Sequence, residues 1–371
     1  MTDEEVRKCQ RMIARIKKPE DERRKKKAQI AREWYSARSL FGNDWAIFYF
    51  LLGGREAGKS YYVTDFFLRQ WKQRGRPFYW LRLSEQSQRK LLANNCEKLI
   101  DPDLRRVYNI NVESHGDNVY EIITTKKGKT VTTEKKLMGR VMCLSTFYND
   151  KGSGLFDKDF LSDPNMYYNI CLDEMNREKN ERKTFDIVYA FTNQLENLIR
   201  STKQRVRVVC IGNTLEEASD ILCAFNFIPE EFGRYKLKSK RAVIEYIEPT
   251  AEYLARRKGT VADILLPDAS TFTNKIDVDT ALVTKQRLVR PSYVIKFSTT
   301  SKYTVWDDNI IAAFNGEQVQ QVPMRPYLDV LYNVDRVNTI ISLFDMRAFY
   351  FHNLITQKKF KKDLELLKPR K

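Results

Sequence analysis

Eight consecutive residues, Gly53-Gly54-Arg55-Glu56-Ala57-Gly58-Lys59-Ser60, fit the pattern G-x-x-x-x-G-K-[ST] at each fixed position. Each residue type answers a chemical need. Gly53 and Gly58 let the backbone curl until its N–H groups face a phosphate, with Gly54 to Ala57 forming the arc between them. Lys59 neutralises β and γ oxygens, and Ser60 offers a hydroxyl to Mg²⁺. A helix beginning at Lys59 aims the positive end of its dipole at the same anion. The chemistry these residues specify is binding of a nucleotide's phosphate chain with Mg²⁺.

A second group lies more than a hundred residues further on. The run Tyr168-Asn169-Ile170-Cys171-Leu172 is apolar and ends in Asp173-Glu174. A carboxylate at a strand end holds Mg²⁺ through its water shell, and a Glu beside it orients and polarises an attacking water. The pair favours hydrolysis over transfer to a second substrate, for which no site is evident. Asn213 ends Val208-Val209-Cys210-Ile211-Gly212, where its amide either senses the γ-phosphate through that water or forms a turn. Arg200 stands at the end of a helical pattern, and a permanently ionised fork there suits transition-state charge, often in a neighbouring subunit. Arg205, Arg207 and Arg55 compete for that role. His115 and His352 are isolated and support neither a metal site nor a triad.

These groups need rigid elements to hold them. Ala46–Leu52 reads as a buried strand ending at Gly53-Gly54. Val63, Phe66, Phe67 and Trp71 then recur at helical spacing until Gly75 and Pro77. Pro77–Leu83 is a second strand, Val119–Thr133 a hairpin turning at Lys127-Gly128, and Val141–Phe147 a further strand. Asn149–Pro164, carrying Lys151, is a polar loop. Tyr168–Leu172 and Val206–Ile211 are strands, with an amphipathic helix at Phe185–Ile199 between them. Strands alternating with helices predict an α/β domain with a mostly parallel sheet over 41–225. Residues 1–40 read as a basic helical extension broken near Pro19, and 226–284 as a linker or lid. Over 285–371, closely spaced strands at Tyr293–Phe297, Tyr303–Trp306 and Ile310–Phe314 and a helical pattern at Val337–Leu354 predict a smaller α+β domain with a basic tail.

Composition limits the partners. The 371 residues carry 65 Lys and Arg against 48 Asp and Glu, a formal charge of +17, which predicts a polyanionic partner. Residues 1–40 alone hold 13 basic and 7 acidic side chains, and residues 357–371 hold 7 and 2. The longest unbroken apolar run, Ala46–Leu52, is far shorter than the roughly 20 residues that span a bilayer, so no membrane partner is expected. Six scattered cysteines without a CxxC pair suit reduced, buried thiols. Aromatic residues fall in core patterns, not between arginines, and indicate no stacking platform for single strands.

Taken in order, Gly53–Ser60, Asp173-Glu174, Arg200 and Gly212-Asn213-Thr214 resemble the encapsidation protein, or DNA-packaging ATPase, of small protein-primed podophages. That family is related to large terminases and to strand-inserted motor ATPases. The likeness extends through Asn226-Phe227-Ile228-Pro229, Arg256-Arg257-Lys258 and the Tyr293–Trp306 hairpin, and covers roughly 41–350. It implies a P-loop NTPase of the additional-strand, catalytic-glutamate type. Joined to it would be a C-terminal domain resembling an RNase H-type nuclease that has lost its chemistry. It further implies a homo-oligomeric ring of five subunits at the capsid portal, in the host cytoplasm and transiently on the procapsid, pumping double-stranded DNA inward with ATP. Lys59 and Ser60 would bind phosphate and Mg²⁺, Asp173 the metal and Glu174 the catalytic water. Arg200 matches a trans-acting arginine finger, although the stretch to Arg207 is one residue longer than in the family. Lys151 matches a basic residue facing the DNA channel. For the 1–40 extension, longer than the family's usual N-terminus, the candidate partners are capsid, portal or a structural RNA. Lys296 on the first strand of the second domain, with Asp307-Asp308-Asn309 as a turn, leaves no converging carboxylates for two-metal cleavage, so no nuclease activity is expected. The alternatives are a helicase-like nucleic-acid motor and a non-hydrolysing, nucleotide-gated scaffold.

Overall fold

The structure, a computed structural model, describes residues 34–127, 130–150, 167–177, 184–199, 205–213, 219–265, 281–298, 300–315, 328–329 and 334–367. The chain divides into two compact units, Met1–Leu215 with Pro229–Ile276, and Glu216–Ile228 with Asp277–Lys371. The reading of residues 1–40 falls almost wholly outside the described residues.

The first unit is built on nine strands: β1 (Phe48–Leu52), β2 (Phe78–Arg82), β3 (Val112–His115), β4 (Asn118–Lys127), β5 (Thr130–Cys143), β6 (Tyr167–Asp173), β7 (Arg205–Gly212), β8 (Gly233–Leu237) and β9 (Ala242–Tyr246). They lie in the order β3-β4-β5-β2-β6-β7-β1-β9-β8. From β5 across to β9 every neighbour is parallel. The pairs β3–β4, β4–β5 and β8–β9 are antiparallel and form the margins. The inner strands are near-continuous apolar runs because both of their faces are buried; Phe50, Leu51, Ile170, Leu172, Val208 and Val209 have almost no solvent contact. The mixed α/β architecture with a large, mostly parallel sheet is the one read from the sequence. Strand β7 stands between β1 and β6, so the glycine-rich turn after β1 and the acidic end of β6 are separated by one strand.

Among the described residues the α-helices, in chain order, are α1 (Lys59–Arg74), α2 (Glu85–Cys96), α3 (Pro102–Tyr108), α4 (Ile187–Ile199), α5 (Asp220–Ala224), α6 (Ala251–Arg257), α7 (Val261–Leu265), α8 (Val334–Asp345) and α9 (Leu354–Leu367). In α1, Val63, Phe67, Leu68 and Trp71 are buried, and Phe67 stacks on Phe78 of β2. Burying each such side chain stabilises the unit by roughly 1.5–3 kcal/mol. The helix ends where Gly75 takes φ 62, a left-handed conformation that returns its N–H to Trp71 O at 2.7 Å.

In the second unit, β10 (Pro291–Lys296), β11 (Lys302–Trp306), β12 (Ile310–Ala313), β13 (Leu328–Asp329) and β14 (Tyr350–Phe351) form a sheet in the order β13-β10-β11-β12-β14. Helices α8 and α9 cover it. Phe360 of α9 is fully buried among Phe297, Tyr303, Phe344, Phe349 and Phe351.

Three boundaries differ from the sequence reading. Val141–Phe147 is not a separate strand: β5 runs unbroken to Cys143, and Leu144–Asp150 turns into a 3₁₀ segment. The apolar run is the buried end of a strand whose first half lies in water. The stretch read as a linker or lid contains β8 and β9, because Pro229 and Pro249 flank those strands without interrupting them. The Val337–Leu354 pattern breaks into α8, the extended β14 and the start of α9. Arg347 at φ 56 ends the first helix, and Phe351 enters the core as a strand residue.

Candidate functional site

The carboxyl ends of β1, β2, β6 and β7 converge on one cleft of about 470 Å³, lined by Arg55–Tyr61, Trp34, Arg82, Asp173, Glu174 and Asn213 among others. Crevices at the carboxyl ends of parallel strands are where α/β sheets bind ligands. Six residues of the pattern, Gly53 to Gly58, form the turn between β1 and α1, and Lys59 and Ser60 open the helix. Gly58 takes φ 89 as the residue before the helix, and a Cβ there would come within 3.1 Å of the Trp34 ring. Glycine is therefore required twice over, for conformation and for space.

Lys59 is buried, and its Nζ donates to Gly53 O at 2.8 Å and Gly54 O at 2.6 Å. Burial pulls its pKa down to about 8; Asp173 works against that shift and Arg55 adds to it. Ser60 Oγ donates to Asp173 Oδ1 at 3.2 Å, so hydroxyl and carboxylate meet at the N-terminus of α1. That oxygen pair fits Mg²⁺, a hard cation that keeps most of its waters and takes one or two protein oxygens beside phosphate. Burial raises the Asp173 pKa, the Arg82 guanidinium opposes this, and neighbouring Glu174 reinforces it.

Glu174 follows at φ 57, with its N–H donating to Asp173 Oδ1 at 3.1 Å. The left-handed residue swings the chain out of the strand, and Met175 N–H returns to Ile211 O at 2.9 Å. The Glu174 side chain, 55% exposed, forms an ion pair with Arg82 Nη1 at 2.6 Å. The same nitrogen lies 3.5 Å from Asp173 Oδ2. Asn213, one residue beyond β7, lines the cleft as well.

The site therefore brings together Gly53–Ser60, Asp173, Glu174 and Asn213. Arg200 and Lys151 lie outside the described residues. Arg205 begins β7. Arg207 is corrected: it is buried, donates to Asn169 Oδ1 at 3.2 Å and lies against the rings of Phe66 and Tyr167. An arginine enclosed by its own domain cannot reach into a neighbouring subunit.

Sequence reasoning missed two parts of the site. One is Arg82. The available signal was a cation closing the apolar run Phe78-Tyr79-Trp80-Leu81, the same place that Asp173 occupies on β6. The other is the brace formed by α6. Tyr253 OH and Arg257 Nη1 donate to Arg55 O at 2.8 and 3.0 Å, and Arg256 Nη2 donates to Glu56 O at 2.8 Å. Arg256 also stacks on Trp34 at 3.8 Å from the ring centre. In the sequence Arg256 and Arg257 stand out only as part of the basic Arg256-Arg257-Lys258 stretch of the family likeness.

With this geometry in hand, comparison with known proteins gives a consistent answer. Residues 32–306 match the model of the Podovirus DNA encapsidation protein (Gp16) family, and the chain belongs to that family. It is 24% identical over 229 residues to the DNA packaging proteins of Bacillus phages PZA and phi29, a match that covers 61% of this chain and 60% of the length of those relatives. Two solved structures share the fold. The Phi-28 gp11 DNA packaging motor aligns at a TM-score of 0.63 with 14% identity, over 92% of this chain and 100% of that one. The phi-29 genome packaging motor assembly aligns at 0.55 with 18% identity, over 90% and 99%.

Proposed function

We propose that this chain is an ATP-driven motor that moves viral double-stranded DNA into an empty capsid. The observation that carries the proposal is the convergence of Lys59, Ser60, Asp173 and Glu174 on one cleft. The interposed β7 supports assignment to the additional-strand, catalytic-glutamate class of P-loop ATPase.

In that reading Lys59 turns from its two carbonyls to the β and γ oxygens of ATP, while Ser60 and Asp173 hold Mg²⁺. Bound there, Mg²⁺ neutralises charge that builds on the phosphate oxygens. Glu174 accepts the proton of the attacking water as the new P–O bond forms and the bridging β–γ bond breaks. Asn213 positions that water. Arg82 engages Glu174 and keeps its carboxylate from serving as a base, so hydrolysis requires the pair to open. Arg200 is proposed as the finger that reaches a neighbour's nucleotide, Lys151 as a contact to DNA, and the assembly as a ring of five on the portal of a procapsid in the host cytoplasm. A structural RNA, portal or capsid remains the proposed partner of residues 1–40.

The second unit is proposed to lack nuclease chemistry. Its Asp307 accepts hydrogen bonds from the N–H groups of Val289 and Arg290 at 3.3 and 3.1 Å, which ties that carboxylate to a turn.

The test is packaging into empty capsids by wild type and Glu174→Gln. Wild type should protect DNA from nuclease in an ATP-dependent manner. The variant should retain nucleotide binding and lose turnover by at least about 10²-fold, the scale of general-base catalysis. Wild-type ATP binding without turnover or packaging would instead favour the nucleotide-gated scaffold, and strand separation without packaging the helicase-like motor.

A further inference from the structure

Strands β4 and β5 continue well beyond the sheet that anchors them. β2 pairs with β5 only at Gly139–Cys143, and β3 pairs with β4 only as far as Glu121. From Ile123↔Glu134 to Lys127↔Thr130 the two strands pair with each other, and no other strand among the described residues joins them. Five residues per strand at about 3.4 Å each make an arm of about 17 Å. Ile123, Thr124 and Thr125 and every residue from Val131 to Lys136 are exposed, so neither face is covered there. A bare two-stranded ribbon is marginally stable in water, which makes its length hard to explain by folding alone.

The composition of the arm is selective. Ile123–Lys136 carries five lysines against the single acid Glu134, and five threonines besides. Lys and Thr donate hydrogen bonds to phosphate oxygens without reading bases. The arm is also anchored. At its base Glu121 is buried, accepts from Trp71 Nε1 at 2.6 Å and pairs with Lys72, both in the last turns of α1. Lys136 lies over the Trp71 ring at 5.0 Å. Among the described residues Lys135, by contrast, meets only the half-exposed Glu113 at 2.7 Å, a weak surface pair that a phosphate can replace. Because Cys143 pairs with Arg82, the arm leaves the sheet at the end opposite the nucleotide cleft.

We propose that the β4–β5 ribbon is a DNA-binding arm that grips the phosphate backbone of B-form duplex, its charge supplied by the lysines in the sequence of the two strands and, among the described side chains, by Lys135. The choice of DNA is physical. The major groove of B-DNA is about 12 Å wide and admits a two-stranded ribbon, whereas the deep, narrow major groove of an RNA helix does not. The inference adds a second DNA contact to the motor proposed above, and rests on that reading only for the purpose the contact serves.

The test uses the full chain and a fluorescent 30-bp DNA duplex of arbitrary sequence, with the RNA duplex of the same sequence beside it, titrated from 50 to 300 mM NaCl. Two variants are compared with wild type: Lys126→Ser/Lys127→Ser/Lys135→Ser, and replacement of residues 124–133 by Asn-Gly. Each phosphate contact contributes about 0.9 to the slope of log affinity against log salt. Both variants should therefore lower the slope by about 2 to 3 and weaken binding about tenfold at 50 mM NaCl, with ATPase in the absence of DNA unchanged. Unaltered slopes in both variants would overturn the proposal, as would loss confined to the RNA duplex. Loss of DNA affinity in the variants of a chain with no ATPase would leave the arm standing and defeat the motor. Normal packaging and ATPase with unaltered slopes would defeat the arm alone.

Discussion

In the proposed motor, Arg82 is the residue on which control of the site would turn. It is the cation placed against both carboxylates, at 2.6 Å from Glu174 and 3.5 Å from Asp173. Its charge is the largest of the influences that oppose the upward push of burial on Asp173, ahead of the Ser60 hydrogen bond and the Lys59 charge. Asp173 must be ionised to hold a divalent metal, so its contribution is present above its folded-state pKa and is lost as pH falls through that value. Arg82→Ala removes the opposing charge and raises the pKa further. The acid limb of Mg²⁺-dependent ATP hydrolysis should therefore move to higher pH, and the Mg²⁺ requirement near that limb should increase. Rate profiles from pH 5 to 8 at several Mg²⁺ concentrations check this, and Arg82→Lys should restore part of the shift. An unchanged acid limb would mean that the pair is a surface contact without influence on the metal.

At the scale of elements, the glycine-rich turn is held from two directions: by α1, which it begins, and by α6, which grips its carbonyls from outside. Tyr253 and Arg257 both donate to Arg55 O. Tyr253→Phe should lower stability by about 0.5–1.5 kcal/mol, the net worth of one hydrogen bond. It should also raise KM for ATP with little change in kcat, because it loosens the turn and not the reacting groups; urea titration and steady-state kinetics measure both. The contrast between α1 and α6 explains what was legible in the sequence. The turn, Asp173 and Glu174 are legible because each belongs to a short local pattern, a glycine-spaced turn and an apolar run closed by two acids, that the structure brings to one cleft. Arg82 and α6 do not, since each acts across a sheet or over some 200 positions of chain, where spacing carries no period. Strands β8 and β9 were hidden by their prolines, and the unity of β5 by a change of environment midway along it. In α4 the helical period was legible but the face was not: the repeat Phe185, Val188, Tyr189, Thr192, Leu195 and Ile199 suggests the packed stripe, whereas Ile187, Ala190, Phe191, Gln194 and Leu198 are the buried residues and Tyr189 is exposed.

At the scale of the whole molecule, each unit carries its own apolar core. In the second unit Phe360 has no exposed surface and touches five aromatic rings. Phe360→Ala should remove about 3–5 kcal/mol from that unit. Calorimetry should show one transition moved to lower temperature while ATP still stabilises the other; loss of nucleotide binding in step would show that the two units fold as one. Packaging should fail in either case if the second unit is needed for the motor. One detail of the first unit matters for any assembly that empties and refills its sites in turn. The Lys59 ammonium has two carbonyl partners in its own turn, Gly53 O and Gly54 O. An incoming nucleotide has to displace those partners. A triphosphate, with its γ oxygens, can outcompete them, whereas a diphosphate gains less from the exchange. In the proposed motor that exchange at a single side chain would favour fresh fuel over exhausted product.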